Sequence, residues 1–118
     1  MPRPYITQIE SRASFLEMLK HSPGHIFVKF GADWCAPCKE IGPYLMERFE
    51  NMGDDVQCIL VDVDESVDLY AFLKMKKMVQ GIPTVLYYAK DNTSYIPDEM
   101  CNGTNAAHYD QFFHTCLE

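Results

Sequence analysis

The sequence predicts an α/β fold: a central mixed five-stranded sheet flanked by four helices, in the order β-α-β-α-β-α-β-β-α, in a single domain spanning residues 1–118. Three observations predict it. Short apolar runs alternate with stretches of helical period in the first two thirds of the chain, which calls for parallel pairing with helices on both faces. A β-hairpin and a helix then close the chain, which makes the sheet mixed. Finally, 118 residues with 47% apolar and 23% charged types are enough for one core and too few for two domains.

Residues 5–9 alternate as a first strand would. Ser11 is an N-cap, and Phe15, Leu16, Met18 and Leu19 make the apolar face of a helix reaching about Lys20. His21-Ser22-Pro23-Gly24 is a turn. Residues 25–30 form a buried strand whose apolar run is broken only by Lys29. The loop Gly31-Ala32-Asp33-Trp34 leads to Cys35 and a long helix with Ile41, Leu45, Phe49 and Met52 on one face. Pro43 lies inside it and is expected to kink it, and Gly53-Asp54-Asp55 ends it. Residues 56–62 are the strongest strand. Ser66 caps a third helix through Leu69, Phe72 and Leu73 that fades near Met78. Gly81-Ile82-Pro83-Thr84 precedes a strand over 85–89. Residues 94–103 form a weak strand interrupted by Pro97, hence an edge. Asn105 caps a last helix with Tyr109, Phe112, Phe113 and Cys116 turned to the core.

Ten basic and 17 acidic side chains give a net charge of −7. That balance argues against nucleic acid and against an anionic membrane surface as partners. No stretch approaches the ~18 apolar residues of a membrane span. The N-terminal residues lack the apolar core of a signal peptide, so the expectation is a cytoplasmic, monomeric protein.

The five cysteines, Cys35, Cys38, Cys58, Cys101 and Cys116, are odd in number and do not have the spacing of a disulfide framework. Cys35-Ala36-Pro37-Cys38 opens a helix that follows a strand. Residues three apart lie one turn apart on one helix face, so the two sulfurs can reach disulfide distance. Free N–H groups and the helix dipole at the first cysteine favour a thiolate there, which makes Cys35 the nucleophile. Cys38, one turn further in, is the resolving thiol. Pro37 fixes φ in the first turn, where no intrahelical donor is lost. Half of a zinc site is the alternative. Zinc usually needs four ligands, and the chain has no second C-x-x-C. His108 and His114 are spaced for poorly matched helix faces, so no metal is expected.

With these residues in hand, the chain resembles the thioredoxin family over nearly its whole length. The match is carried by Trp34-Cys35-Ala36-Pro37-Cys38-Lys39, by Pro43 five residues after the second cysteine, and by Gly81-Ile82-Pro83-Thr84. Phe-Val-Lys-Phe before the motif and Val61-Asp62-Val63-Asp64 also match. The resemblance implies a thioredoxin fold and a thiol–disulfide oxidoreductase that reduces protein disulfides without metal or organic cofactor. A reductase or small thiol would recycle it. It implies further that Trp34 shields the site and packs beside the substrate. Pro83 would be the family's cis-proline, with the Ile82 backbone pairing to an extended substrate segment. Gly103 would leave room for a partner.

The chain also departs from the family pattern. Ala36 replaces a usual glycine between Cys35 and Pro37, Gly31 a frequent aromatic and Leu60 a frequent lysine. Lys29 stands where many members carry a buried acid that serves the resolving thiol. A buried lysine with a lowered pKa can accept a proton, a charged one can stabilise a thiolate, and one that reaches solvent does neither. All three readings of Lys29 stay open on the sequence. Lys74, Lys76 and Lys77 end a helix leading toward Pro83, either as solvated helix-end charges or as a patch for an acidic partner. Cys58 and Cys116 read as packing residues and Cys101 as the one open to exposure. The competing function is a protein-binding module, or a partner-specific redox adaptor with weak turnover, which the loss of the acid at Lys29 motivates.

Overall fold

The computed structural model describes residues 3–118; Met1 and Pro2, part of the segment read for a leader, lie outside them. Four helices and four strands follow in the order α1 (Arg12–Lys20), β1 (His25–Gly31), α2 (Ala36–Glu50), β2 (Val56–Asp62), α3 (Val67–Met75), β3 (Thr84–Ala89), β4 (Glu99–Asn102) and α4 (Ala106–Leu117). The sheet has the order β2-β1-β3-β4. β1 runs parallel to β2 and antiparallel to β3, and β4 pairs antiparallel with β3 at the edge.

The five-stranded sheet is therefore corrected to four. Of residues 5–9, only Ile6 joins the sheet, in a single parallel bridge to Ile59. Its N–H donates to the Cys58 carbonyl at 3.3 Å, and its own carbonyl accepts from Leu60 at 2.9 Å. Two residues upstream Pro4 has no N–H to extend the ladder. Downstream the chain turns into α1, whose N-cap Ser11 accepts from the Ser14 N–H at 3.1 Å. The edge strand is likewise shorter than 94–103. Residues 94–97 spend their polar groups on local contacts instead, with Asn92 Nδ2 donating to Ile96 O at 2.8 Å and to Asp98 Oδ2 at 2.9 Å, and the chain first reaches β3 where the Asp98 N–H donates to Tyr87 O at 2.8 Å.

Apolar clusters cover the two faces of the sheet. On one, Ile26, Val28, Phe30, Ile59, Val61, Leu86 and Tyr88 meet Phe15 and Leu19 of α1 and Leu69 and Leu73 of α3. On the other, Phe27, Cys58, Val85 and Tyr87 meet Ile41, Leu45 and Phe49 of α2 and Tyr109, Phe112, Phe113 and Cys116 of α4. Phe27 is the centre of the second, with ring centroids 5.1 Å from both Tyr87 and Phe113. Aromatic pairs of this kind contribute about 0.5–1.5 kcal/mol each beyond their buried area. Burial on both faces explains the nearly unbroken apolar run of β1.

Helix ends explain the remaining boundaries. α2 continues through Pro43 as one helix, although the carbonyl of Lys39 loses its usual partner there. Asn51 caps α2 before Gly53 is reached, its N–H donating to the carbonyls of Arg48 and Phe49. α3 stops at Met75, because Lys77 takes φ +64° and turns the chain out of helical geometry.

Candidate active site

Both cysteines lie where the parallel strand β1 hands over to α2. The loop after Gly31 is closed by the Cys35 N–H donating to Ala32 O at 3.2 Å. Cys35 is the N-cap of α2, with extended φ −89° and ψ 106°, and its Sγ accepts the Cys38 N–H at 3.2 Å. A sulfur thus occupies the capping position normally filled by a serine or aspartate oxygen, where an N–H and the helix dipole both favour negative charge. Ala36 and Pro37 fill the first turn. Cys35 and Cys38 are joined by a disulfide with their Cα atoms 5.2 Å apart. Both are nearly buried, whereas Trp34 beside them is 68% exposed.

The other wall of the site comes from two loops far away in sequence. The Ile82–Pro83 peptide is cis, and the Ile82 carbonyl oxygen lies 3.8 Å from Cys35 Sγ. Thr84 Oγ1 donates to Gly81 O at 2.6 Å and closes this turn. Gly103, just past β4, donates its N–H to Pro83 O at 3.3 Å. Gly103 has φ +88°, where a side chain is strained, and a Cβ built there would point into open space. The fold therefore brings Cys35, Cys38, Ile82, Pro83 and Gly103 together at one edge. Trp34 is oriented by its indole N–H, which donates to Asp64 Oδ2 at 2.8 Å.

Behind Cys38 lies a solvent-open cavity of about 440 Å³, lined by Lys29, Gly31, Cys38, Lys39, Leu60 and Asp62 among others. Lys29 reaches it because alternate β1 residues share a face. Phe27 packs in the α2–α4 cluster, so Lys29 and Gly31 point the same way. A Cβ on Gly31 would sit 3.6 Å from Cys38 Sγ. Lys29 is half-buried between its neighbours Leu60 and Val85 and forms no ion pair among the described residues. Burial lowers its pKa from the ordinary lysine value.

The other cysteines are chemically muted. Burial pushes the thiols of Cys58 and Cys116 up to about 12, and it raises that of the partly exposed Cys101. Lys74, Met75, Lys76 and Lys77 are all exposed. Two of these lysines lie over aromatic rings, Lys74 at 5.6 Å from Tyr70 and Lys76 at 6.0 Å from Tyr95. Sequence reasoning gave no site contact to Asp64, to Thr84, quoted only within a motif, or to Tyr109, read as core, whose hydroxyl donates to Gly103 O at 2.9 Å. Asp64 belonged to a motif already quoted, but its contact with Trp34 spans 30 residues and leaves no local signal.

Comparison with known proteins agrees with this geometry. The family model described as Thioredoxin matches residues 6–113. A thioredoxin from Bacillus subtilis is 40% identical over 65 residues, 55% of this chain and 59% of that protein. A thioredoxin from Oryctolagus cuniculus is 38% identical over 89 residues, 72% of this chain and 77% of that protein. The chain spans less than two thirds of the length of some curated relatives it matches, among them 43% of the chloroplastic thioredoxin Y of rice. Among solved structures, Trichomonas vaginalis thioredoxin superposes with a TM-score of 0.75 at 24% identity, covering 95% of this chain and 96% of that one. That likeness speaks for the fold.

Proposed function

The chain belongs to the thioredoxin family of thiol–disulfide oxidoreductases, and from that premise we propose that it reduces protein disulfides, with Cys35 attacking and Cys38 resolving. The observation that carries this reading is the Cys35 sulfur at the N-cap of α2, bonded to Cys38 and 3.8 Å from the Ile82 carbonyl oxygen. In the reduced protein the Cys35 thiolate attacks one sulfur of a substrate disulfide. That S–S bond breaks, the other substrate sulfur leaves as a thiolate and takes a proton, and a mixed disulfide remains. Cys38 then gives up its proton and attacks the Cys35 sulfur. The second substrate thiol is released and the Cys35–Cys38 disulfide forms. Two electrons and two protons have passed to the substrate. A reductase or a small thiol returns them.

The surrounding residues have defined tasks in this reading. The Cys38 N–H holds negative charge on Cys35 before attack. Pro37 and Ala36 restrict the turn between the sulfurs. The Ile82 backbone and Pro83 receive an extended substrate segment, with Gly103 keeping the space beside it open and Trp34 covering its flank. Lys29, which lines the cavity behind Cys38 together with Lys39, Asp33, Asp62 and Glu65, modulates the Cys38 thiol in the resolving step. The protein works as a monomer in a reducing, cytoplasmic compartment. Among the described residues no helix is long and apolar enough to cross a membrane.

Insulin reduction by dithiothreitol, followed by turbidity, tests the assignment. Wild type accelerates it, and Cys35→Ser abolishes the acceleration. Retained acceleration in Cys35→Ser overturns the proposal. Capture with Cys38→Ser separates it from a pure binding module. Partners held through reducible mixed disulfides mark an oxidoreductase, while partners held equally well by the double Cys→Ser variant mark a scaffold.

A further inference from the structure

Tyr109 sits in the first turn of α4 with its ring fully buried in the α2–α4 cluster, 6.5 Å from the ring of Tyr44. A phenylalanine would fill that space equally well. The hydroxyl needs another explanation, since a buried polar group costs stability unless it is paired. It leaves the cluster to donate to Gly103 O at 2.9 Å. The same Gly103 residue donates its N–H to Pro83 O at 3.3 Å, and the Ile82 carbonyl beside Pro83 lies 3.8 Å from Cys35 Sγ. A chain of contacts thus runs from the floor of α4 through Gly103 to the backbone facing the reactive sulfur.

The anchor at Tyr109 is well suited to its place. Asn105 caps α4 with its side chain accepting from Ala107 and His108 at 2.9 and 3.3 Å, and its carbonyl accepts the Tyr109 N–H at 3.3 Å. The tyrosine therefore starts from a fixed helix end. Gly103, by contrast, is exposed and at φ +88°, with no side chain of its own to hold it. Burial raises the Tyr109 phenol pKa, so the hydroxyl keeps its donor proton throughout the working pH range.

We propose that Tyr109 is a positioning residue for substrate docking: its hydroxyl holds the Gly103 carbonyl and, across that residue, the Gly103 N–H bonded to the Pro83 carbonyl, and so sets the height of the Ile82 backbone against Cys35. This rests on the proposed disulfide-reductase reading. Tyr109 touches neither sulfur, so it acts on how a protein substrate is received and leaves the intrinsic reactivity of Cys35 alone.

Tyr109→Phe tests it, with Phe113→Leu as the control that loosens the same aromatic layer without touching Gly103. Loss of one such hydrogen bond predicts an increase of about fivefold in KM for insulin. The turnover number and the rate of Cys35 alkylation stay within about twofold of wild type, the scale of an unperturbed step. Hydrogen exchange at the Gly103 amide, read in the folded state, speeds up in Tyr109→Phe and not in Phe113→Leu. An unchanged KM, an equal KM increase in Phe113→Leu, or unchanged Gly103 exchange overturns the proposal. If wild type shows no Cys35-dependent turnover at all, the reductase reading falls, and Gly103 exchange still decides whether Tyr109 holds the loop.

Discussion

Cys35 and Cys38 share one disulfide, yet their two sides of the molecule are built from different materials. On the Cys35 side the contacts are backbone: the Cys38 N–H at 3.2 Å and the Ile82 carbonyl oxygen at 3.8 Å. On the Cys38 side there is a cavity of about 440 Å³ lined by residues of both charges, Lys29 and Lys39 with Asp33, Asp62 and Glu65. Backbone surroundings follow from the fold and are indifferent to most substitutions. Side-chain surroundings are where a single residue can retune the chemistry. With the roles proposed for the two cysteines, the comparison teaches that attack would be a property of the architecture, while resolution would be a property of this particular chain.

The largest effect that can break this division is Cys38→Ser. Attack survives and resolution does not, so a substrate disulfide is consumed once per molecule and multiple turnover falls on the order of 10³-fold, as for loss of a covalent participant. Intact-mass measurement should find the substrate held on Cys35. Substrate held elsewhere, or sustained turnover, would contradict the two roles.

Lys29→Met sharpens the same contrast. Removing the lysine makes the Cys38 thiol harder to ionise, slowing resolution by about threefold at neutral pH and less at high pH, because the loss of thiolate is partly offset by a more basic, more nucleophilic sulfur. Rapid-mixing kinetics of mixed-disulfide decay should show it, with the Cys35 attack rate unchanged. Stability moves the other way. The folded-state pKa of Lys29 lies below its ordinary value of 10.5. Between the two the unfolded chain carries the extra proton, so wild-type stability is constant below this window and rises with pH through it. The methionine variant loses this rise and is more stable at pH 7 by about 1 kcal/mol, since a half-buried charge no longer has to be desolvated. Urea melts at two pH values measure both. A variant that is less stable at neutral pH would show that Lys29 has an ion-pair role.

Smaller effects belong to the flank. Asp64→Ala removes the acceptor of the Trp34 indole, and a net hydrogen bond of about 1 kcal/mol sets a ceiling of about fivefold on the loss of insulin-reduction efficiency. Indole fluorescence anisotropy should fall as the side chain is released. The smallest change is Gly31→Ala. Its Cβ meets Cys38 Sγ at 3.6 Å, an ordinary contact, and its backbone needs no glycine. Stability should shift by no more than about 0.5 kcal/mol.

What was legible in the sequence divides along similar lines. Caps at Ser11 and Asn105 and the limits of Val56–Asp62 are local signals, and the structure has them where the residues place them. The W-C-x-P-C-K string and Gly81-Ile82-Pro83-Thr84 are local too. Residues 5–9 have the alternation of a strand, but pairing is decided by the neighbour and by Pro4, and one bridge is all that forms. Lys29 could be placed on a strand and not in a cavity, because its burial depends on Leu60 and Val85 from two other strands. Tyr109 read as core, which it is. Its hydroxyl bond to Gly103 depends on how α4 docks against the end of β4, and apolar periodicity carries no trace of that.

The central claim, a nucleophile at Cys35 and a resolving thiol at Cys38, is tested most directly by alkylating the reduced protein with iodoacetamide over a range of pH and mapping the modified cysteines by mass spectrometry. The account predicts that Cys35 is modified first at pH 7, with an apparent pKa below that of an ordinary thiol, about 8.5. Modification of Cys38 ahead of Cys35, or a Cys35 pKa at or above the ordinary value, would contradict it.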